Sequence, residues 1–292
     1  LENDEISFYP ASKKEQVITY LKNVKDWNIS RQIAWGIPIP AFQNVNDPDD
    51  WIFNTSVNEE LIEVNNQHYR RDPDVFDTWF SSGHWPFVTL GYTDSKDFDD
   101  FYPNSVMETG QDILYQWVAR MICIGLYVTD TTPFKDVYLH GMVRAEDGRK
   151  MSKSLGNVID PTAVLNEYGA DALRMGMIAG RSAGYSAAYD PSKVIAGRNF
   201  CNKLWNIARF AETALGDDFS HEKPVPKSLA DHWIIDRATT TTTHVSTLLD
   251  GYRFSEAYDT VYHFIWDDLA DWYIEASKAE HNKQILAYVL ET

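Results

Sequence analysis

The stretch Asp147-Gly148-Arg149-Lys150-Met151-Ser152-Lys153-Ser154-Leu155-Gly156-Asn157 is the most informative part of this 292-residue sequence. It contains two lysines three positions apart, two serines between and after them, and a glycine on each side. A lysine ammonium group is a compact charge suited to phosphate oxygens, and glycine lets the backbone approach a ligand closely. We interpret the stretch as a cationic loop that holds phosphate groups. An ordinary solvated loop is the alternative for any stretch rich in lysine, serine and glycine.

Sequence patterns on the amino-terminal side of this loop predict a parallel β-sheet. Residues 105–110 have the pattern of a short strand ending in glycine, residues 112–128 that of a largely buried helix, and residues 136–143 that of a second strand. A strand, a helix and a strand in this order form a βαβ unit, with parallel pairing and a right-handed crossover. Further upstream, residues 13–24 predict a short helix and residues 57–69 a small hairpin.

On the carboxyl-terminal side of the loop the sequence becomes helical. A polar segment at 217–226 contains two prolines, and Ser228 with Asp231 has the spacing of a helix-capping box. Helices joined by short loops predict a bundle, so we divide the chain into domains 1–190 and 191–292. The helical patterns of this region cover residues 161–179, 192–215, 233–249 and 254–278.

Composition excludes several classes of protein. Apolar residues make up 44% of the chain, but no run of eighteen apolar residues exists, so no membrane-spanning helix is predicted. A net charge of −17 argues against a protein that coats nucleic acid non-specifically, although local basic patches remain compatible with a structured RNA partner. Cys123 and Cys201 both lie in apolar helical patterns, which predicts buried thiols of a reducing cytoplasm rather than a disulfide or a metal pair.

Three further segments are candidate binding sites. Gly110 and Asp112 lie at a strand-to-helix turn, where ligands of open α/β sheets bind and where an aspartate can accept hydrogen bonds from ribose; helix capping by Asp112 is the alternative. His140 ends the next strand, where a structural hydrogen bond is as plausible as a ligand contact. Trp79, among small hydroxyl residues, can wall an apolar pocket or can belong to the core.

These motifs together resemble one enzyme family. Residues 150–154 resemble the Lys-Met-Ser-Lys-Ser (KMSKS) loop of class I aminoacyl-tRNA synthetases, which holds the ATP phosphates during amino-acid activation. The segment Asp74-Val-Phe-Asp77-Thr-Trp79-Phe-Ser-Ser82 is similar to a motif of the isoleucyl, valyl and leucyl subgroup, and most similar to its valine-specific members. Residues 27–32, 198–206 and 271–273 extend the resemblance over nearly the whole chain.

The resemblance implies an α/β fold, namely the second half of a Rossmann-like parallel-sheet nucleotide-binding domain followed by a helical bundle that binds the anticodon stem. It implies activation of valine with ATP and Mg²⁺, and transfer of valine to the 3′ end of tRNA(Val), by a cytoplasmic enzyme that is expected to be a monomer. The site residues that it implies are Lys150 and Lys153 for catalysis; Gly110, Asp112, His140, Gly141, Met142, Val143, Lys150, Met151, Ser152, Lys153 and Ser154 for ATP; Trp79 and Ile113 for the amino acid; and Arg198, Asn202 and Arg209 for tRNA.

Some family features are not in this sequence. It has no His-Ile-Gly-His-like motif, no editing insertion and no cysteine pairs near residues 40–70, so no zinc or other metal site is predicted. We therefore expect a fragment, the carboxyl-terminal half of a catalytic domain with part of an anticodon-binding bundle, that is inactive alone. Two alternatives stay open: an isoleucine-specific homologue, and a fragment that binds nucleotide or tRNA without turnover. ATP–pyrophosphate exchange by the full-length protein, measured with valine and with isoleucine, would distinguish the first alternative. The presence or absence of a His-Ile-Gly-His segment in the upstream reading frame would distinguish the second.

Overall fold

The computed structural model describes residues 1–216, 224–280 and 282–292. Its chain divides into two compact units, Leu1–Leu139 and His140–Thr292. The polar segment predicted at 217–226 lies largely outside the described residues. At its carboxyl-terminal end, the predicted capping box is confirmed, since the Asp231 N–H donates to the Ser228 hydroxyl at 3.1 Å and the Asp231 carboxylate accepts from the Ser228 N–H at 3.3 Å.

A three-stranded sheet forms the centre of the first unit. Phe134–His140 is its middle strand; it pairs in parallel with Ser7–Tyr9 on one side and neighbours Asn104–Gly110 on the other. The two strands predicted from the sequence are thus confirmed, although the second ends at His140 rather than at residue 143. Strand Ser7–Tyr9 was not predicted, because three residues are too few to show a period of two.

The helix predicted at 112–128 exists but does not begin as an α-helix. Gln111–Ile113 form a 3₁₀ turn, Leu114–Val118 a π-helical turn, and Ala119–Thr129 a regular α-helix. One face is buried in a core cluster with residues of the neighbouring sheet, while Tyr127 on the opposite face is 89% exposed. The sheet and the short helices Thr78–Ser82 and Trp85–Val88 therefore bury part of the circumference of this helix and leave the side of Tyr127 in solvent.

Neither cysteine is a buried thiol, which corrects the sequence prediction. Cys123 is exposed on the outer face of helix Ala119–Thr129, and Cys201 is half-buried. Both residues are free thiols. The apolar pattern around Cys123 covers more of the helix circumference than the sheet does, so apolar spacing overestimated its burial.

The first unit also contains an antiparallel sheet of four strands and an antiparallel pair, Ser30–Arg31 with Val75–Phe76. The hairpin predicted at 57–69 is confirmed as Leu61–Val64 and Gln67–Arg71, joined by Asn65 and Asn66, both with positive φ. Two central residues with positive φ are typical of the turns whose twist matches antiparallel strands. The order of the strands in the four-stranded sheet is Trp51–Phe53, Ala41–Asn44, Gln67–Arg71 and Leu61–Val64. Outside residues 111–129, the helices of the first unit are Ser12–Lys22, Thr78–Ser82, Trp85–Val88 and Lys96–Phe101.

The second unit is largely a helical bundle, with a core cluster that includes Ile207, Ile234, Leu269, Tyr273 and Ile285. The helix predicted at 161–179 is two helices, because Gly169 adopts φ 91°, which an α-helix cannot contain. The helix predicted at 254–278 is continuous but π-helical in its middle. The helical segments of the second unit are Pro161–Tyr168, Ala170–Ile178, Pro191–Leu215, Leu229–Asp250, Phe254–His263, Phe264–Tyr273, Ile274–Glu280 and Lys283–Glu291. Its short strands Val143–Arg144 and Ala187–Ala188 pair in parallel.

Candidate functional site

Residues 150–157, which we call the lysine loop, form a closed turn with both lysines pointing into solvent. Lys153 begins a 3₁₀ turn that ends at Gly156 with φ 62°, and the Ser152 and Ser154 hydroxyls are 2.7 Å apart. Lys150 and Lys153 are exposed, and neither makes an ion pair with any described residue. Two lysines three positions apart, with no ion-pair partner among the residues that the structure describes, are available for an anionic ligand in a chain of net charge −17.

Asn157 braces this loop from its far end. Its side-chain oxygen accepts the Ser152 N–H at 2.8 Å, and its side-chain amide donates to the Lys150 carbonyl at 3.2 Å. The two bonds tie the backbone on both sides of Met151 to one side chain. This role of Asn157 was not predicted from the sequence, where an asparagine directly after the glycine of a turn was the available signal.

The residue before the lysine loop has its own acidic partner. Asp147 accepts hydrogen bonds from the Arg149 side chain, with Nε to Oδ2 at 2.7 Å, and from the Arg149 N–H at 3.0 Å. The Arg149 side-chain hydrogen bond holds the pKa of the Asp147 carboxyl below its usual range, and both groups are solvent-exposed. Arg149 is thus neutralised locally, unlike the two lysines that follow.

The segment His140-Gly141-Met142-Val143 is held by residues 185–187, through the Ser186 hydroxyl and through backbone groups. The Met142 N–H donates to the Ser186 hydroxyl at 2.9 Å, and the Ala187 N–H donates to the Met142 carbonyl at 3.2 Å. A Cβ at Gly141 would lie 1.9 Å from the Tyr185 carbonyl oxygen, so only glycine fits there. The segment therefore has a fixed path from the strand end towards Val143–Arg144, and the side chain of His140 is exposed.

In the first unit, Gly110, Asp112 and Ile113 follow one another at the end of strand Asn104–Gly110. Gly110 is buried, Asp112 is exposed, and Ile113 is half-buried. Asp112 is the middle residue of the 3₁₀ turn and not a cap, so the capping alternative is wrong. The π-helical turn Leu114–Val118 directly after it is a rare conformation that is frequent at functional sites.

Trp79 lies in the first turn of the short helix Thr78–Ser82 and is half-buried. This helix packs against the one that follows Ile113, since the Trp117 indole N–H donates to the Ser82 carbonyl at 3.0 Å. The two predicted pocket residues thus lie on elements that contact each other.

Asp77, directly before this helix, connects several residues that the sequence analysis did not group. Its Oδ1 accepts the Trp79 N–H at 2.9 Å, and its Oδ2 accepts the Trp27 indole N–H at 2.9 Å and pairs with Arg31. The Arg120 guanidinium lies 3.5 Å from the Trp27 ring centroid, over its face. We call Asp77, Trp79, Trp27, Arg31 and Arg120 the Asp77 cluster. The available signal was the aspartate directly before Thr78-Trp79 in this motif.

The protonation of Asp77 follows from this environment. The residue is 5% exposed, and burial by itself raises the pKa of a carboxyl group. The hydrogen bonds from the Trp79 N–H and the Trp27 indole, together with the charges of Arg31 and Arg120, outweigh burial and hold the pKa of Asp77 below its ordinary value. Asp77 is therefore a buried, ionised hydrogen-bond acceptor at neutral pH.

The candidate RNA-facing residues lie on one helix of the second unit, Pro191–Leu215. Asn202, Trp205 and Arg209 are exposed, with Trp205 at 69%. Arg198 is also exposed, and its guanidinium lies 5.5 Å from the Tyr168 ring centroid. The residues Arg198, Asn202, Trp205 and Arg209 recur at helical spacing and therefore form one solvent-facing row on this helix.

Across residues 1–216, 224–280 and 282–292, no group of three or more histidine, cysteine, aspartate or glutamate side chains is arranged to hold a metal ion. In the same described segments, no helix is both long enough and apolar enough to cross a membrane.

Comparison with solved structures identifies the fold. The LeuRS–tRNA–LeuAMS ternary complex of Agrobacterium radiobacter K84 matches 96% of this chain and 42% of its own with a TM-score of 0.77. A methionyl-tRNA synthetase of Mycobacterium tuberculosis in complex with methionyl-adenylate matches 97% of this chain and 52% of its own with a TM-score of 0.70. Both are 20% identical to this chain, so they support the predicted α/β fold with its helical bundle and carry no argument about substrate.

Comparison with curated sequences finds closer relatives. Valine–tRNA ligases of Staphylococcus aureus strains bovine RF122 / ET3-1 and JH9 are each 46% identical over 299 aligned residues, which cover 99% of this chain. The chain spans about a third of their length, 33% in both cases.

Two family descriptions match the chain itself. The anticodon-binding domain of tRNA ligases matches residues 231–292, within the helical bundle. The class I tRNA synthetases (I, L, M and V) match residues 1–188, which contain the lysine loop, the turn at Gly110 and the Asp77 cluster. The resemblance carried by these motifs is thereby confirmed over more than half of the sequence, and the chain belongs to the class I tRNA synthetases.

Proposed function

We propose that the protein containing this chain is a valine–tRNA ligase. It joins valine to ATP, forming valyl-adenylate and pyrophosphate, and then transfers valine to the 3′ end of tRNA(Val). The chain contributes the carboxyl-terminal part of the catalytic domain, residues 1–190, and part of an anticodon-binding bundle, residues 191–292. The 46% identity to valine–tRNA ligases over nearly the whole chain supports valine as the substrate.

The observation that carries the proposal is the braced lysine loop with its two unpaired cations. In the first reaction, the valine carboxylate attacks the α-phosphate of ATP in line, and pyrophosphate leaves with an increased share of negative charge. Lys150 and Lys153 stabilise that charge, and Ser152, Ser154 and Met151 complete the phosphate-binding loop. Catalysis of this kind depends on positioning and on charge stabilisation rather than on a covalent intermediate.

The nucleoside part of ATP lies against the two strand ends. Asp112, which is exposed and does not cap the helix, accepts hydrogen bonds from the ribose hydroxyls, and Gly110 allows the backbone to approach the sugar. His140, Gly141, Met142 and Val143 line the adenine, largely with backbone groups. Support for the latter role is the fixed backbone path that residues 185–187 impose on this segment.

Trp79 and Ile113 wall the pocket for the valine side chain. Support for this assignment is the contact between the helix of Trp79 and the helix that follows Ile113. An isoleucine-specific enzyme is the alternative, and a pocket distinguishes one methylene by only about 1–3 kcal/mol. The identity to valine–tRNA ligases favours valine.

tRNA binding is assigned to the helical region. Arg198, Asn202 and Arg209 form an exposed row on helix Pro191–Leu215 whose cations suit a phosphate backbone. We further propose a cytoplasmic, monomeric enzyme, as in the family that the chain resembles.

Mg²⁺ enters this proposal with ATP. The described residues do not assemble three or more metal-binding side chains, and Mg²⁺ is commonly held by substrate phosphates with few protein ligands. We therefore treat Mg²⁺ as part of the nucleotide substrate, which the lysine loop binds through its phosphates.

The experiment that tests the proposal is ATP–pyrophosphate exchange by the complete protein that contains this chain, measured in parallel with valine and with isoleucine. Exchange that depends on valine, with a kcat/KM for isoleucine at least tenfold lower, is expected. Stronger exchange with isoleucine supports the alternative specificity, and no exchange with either amino acid refutes the assignment.

A further inference from the structure

We propose that Asp77 is a positioning residue of the amino-acid pocket, whose carboxylate holds the Trp27 indole and the first turn of the Trp79 helix in one fixed arrangement. This inference rests on the proposed function, since it concerns the pocket to which Trp79 is assigned. Asp77 contacts no substrate itself in this view; it acts through the two tryptophans.

Asp77 uses both of its carboxylate oxygens, one for its own helix and one for a distant residue. Helix capping needs one acceptor, and Oδ1 of Asp77 supplies it by accepting the Trp79 N–H at 2.9 Å. Oδ2 accepts instead from the Trp27 indole, fifty residues earlier in the chain. Asp190 makes a capping bond of the same kind and length, to the Ser192 N–H at 2.9 Å, but its other hydrogen bond goes to the Ser192 hydroxyl. Asp77 therefore does more than cap its helix.

Main-chain hydrogen bonds bring the segment that follows Trp27 and the segment that precedes Thr78 together without the Asp77 side chain. Strand Ser30–Arg31 pairs with Val75–Phe76, and the Asp77 N–H donates to the Ile29 carbonyl at 2.7 Å. The distance between the segments is thus set by main-chain bonds. What the carboxylate adds is the orientation of the Trp27 ring, held at its N–H edge by Asp77 and covered on its face by Arg120.

The orientation of Trp27 has consequences for a cavity. Trp27, Arg31 and Arg120 line a cleft of about 790 Å³ in the first unit, whose lining does not include Trp79 or Ile113. The Trp27 ring also lies beside the Trp79 helix, since its centroid is 6.1 Å from that of the Phe80 ring. Because the indole forms part of the wall of the cleft, a rotated indole changes the shape of the cleft. The same carboxylate sets the start of the Trp79 helix, so a change at Asp77 reaches both tryptophans at once.

Charge explains why a carboxylate is required at this position. Arg31 and Arg120 are two cations near one buried acid. An asparagine at 77 has nearly the same volume, and its oxygen can still cap the Trp79 helix. Its amide group, however, is a donor that would face the Trp27 N–H and Arg31, both donors too. Asp77→Asn therefore removes the bridge selectively and leaves the backbone pairing in place.

The test compares Asp77→Asn with Asp190→Asn in the complete protein. Both changes convert a capping aspartate to asparagine, but only the first removes a bridge to a tryptophan. We expect Asp77→Asn to raise the KM for valine by about 10- to 100-fold, the range expected for a lost hydrogen bond to a charged group, while the KM for ATP changes less than twofold. Asp190→Asn should leave both values near those of the unmodified protein.

Trp27→Phe completes the test, because it removes the indole N–H and keeps an aromatic ring. If Asp77 acts through Trp27, the double variant should show a valine KM close to that of Asp77→Asn alone rather than the product of the two effects. Multiplicative effects in the double variant, or an unchanged valine KM in a folded Asp77→Asn protein, would overturn the positioning role. Equal increases of the KM for valine and for ATP would also overturn it.

A measurement without turnover separates this inference from the proposed function. In a ¹⁵N-labelled sample, the Trp27 indole signal is assigned by its loss in Trp27→Phe, and its hydrogen exchange is followed. Faster exchange in Asp77→Asn than in Asp190→Asn supports the bridge, and equal exchange refutes it. If the unmodified protein shows no valine-dependent exchange of pyrophosphate, the proposed function fails and so does the assignment to a valine pocket, whatever the indole signal shows.

Discussion

Replacement of Lys153 by alanine tests the lysine loop most directly. The side chain is exposed and makes no ion pair with the described residues, so its loss should leave the free energy of unfolding nearly unchanged. A lysine charge about 4 Å from a phosphate oxygen contributes about 4 kcal/mol at an effective dielectric constant of 20. Replacement of one such electrostatic contact in an enzyme typically costs about 3–4 kcal/mol. The expected loss in kcat for adenylate formation is therefore on the order of several hundredfold.

Single-turnover formation of valyl-adenylate, with saturating valine and ATP, measures this effect. The matched control is Lys96→Ala, which removes a lysine that is also exposed and lies outside the proposed site. Lys153→Ala should lower kcat and kcat/KM together, since the contact acts mainly in the transition state, whereas Lys96→Ala should change neither. A Lys153→Ala protein with a normal rate of adenylate formation, or with only a raised KM for valine, would refute the assigned role.

Four further predictions concern other parts of the chain. Asn157→Ala removes two hydrogen bonds from the lysine loop, worth together about 1–3 kcal/mol, and should lower the rate of adenylate formation by about 5- to 150-fold without lowering the melting temperature; an unchanged rate would show that the loop orders without this brace. Trp79→Ala should lower kcat/KM for valine by at least about tenfold while tRNA affinity is kept; a collapsed melting temperature with loss of tRNA binding would instead show that Trp79 is structural. Asp231→Asn should destabilise the second unit at pH 7, and the difference from the unmodified chain in urea unfolding should shrink as the pH falls below about 4; a difference independent of pH would contradict an ionised Asp231. The 292-residue chain alone should not catalyse valine-dependent ATP–pyrophosphate exchange, and exchange clearly above background would show that the proposed distribution of the active site is wrong.

The prediction for Asp231 depends on the sign of its pKa shift. Asp231 is 3% exposed, and burial alone raises its pKa; hydrogen bonds from the Lys227 N–H, Asn282, Tyr273 and the Ser228 N–H hold the pKa below its ordinary value. A carboxyl with a lowered folded-state pKa contributes stability above its unfolded pKa. That stability is lost as the pH falls through the folded-state pKa.

Several of the longer elements of regular structure were predicted correctly, although the nine-residue helix Lys283–Glu291 was not predicted. Helix Pro191–Leu215, strand Asn104–Gly110 and the hairpin around Asn65 and Asn66 follow from apolar spacing and turn residues alone. The break at Gly169 was missed, because apolar spacing continues through it while the backbone at that one residue has φ 91°. The π-helical turn Leu114–Val118 was missed for a related reason: its residues are ordinary helix formers, and only the geometry of their hydrogen bonds differs.

The family of the chain was determined by the sequence itself. The lysines Lys150 and Lys153 with their serines and glycines, and the Asp77-Thr-Trp79 motif, are local sequences that predict phosphate binding and a small pocket, and their resemblance to the class I tRNA synthetases is confirmed. Only the tertiary structure decided which partners hold those residues. Asp77 meets Trp27 across fifty positions, and Gly141 meets the backbone of Tyr185 across forty-four, because strand pairing and loop packing bring distant segments together. Periodicity reports which face of an element is apolar but not which residue of another element it contacts, so the exposure of Cys123 and the grouping of the Asp77 cluster required the fold.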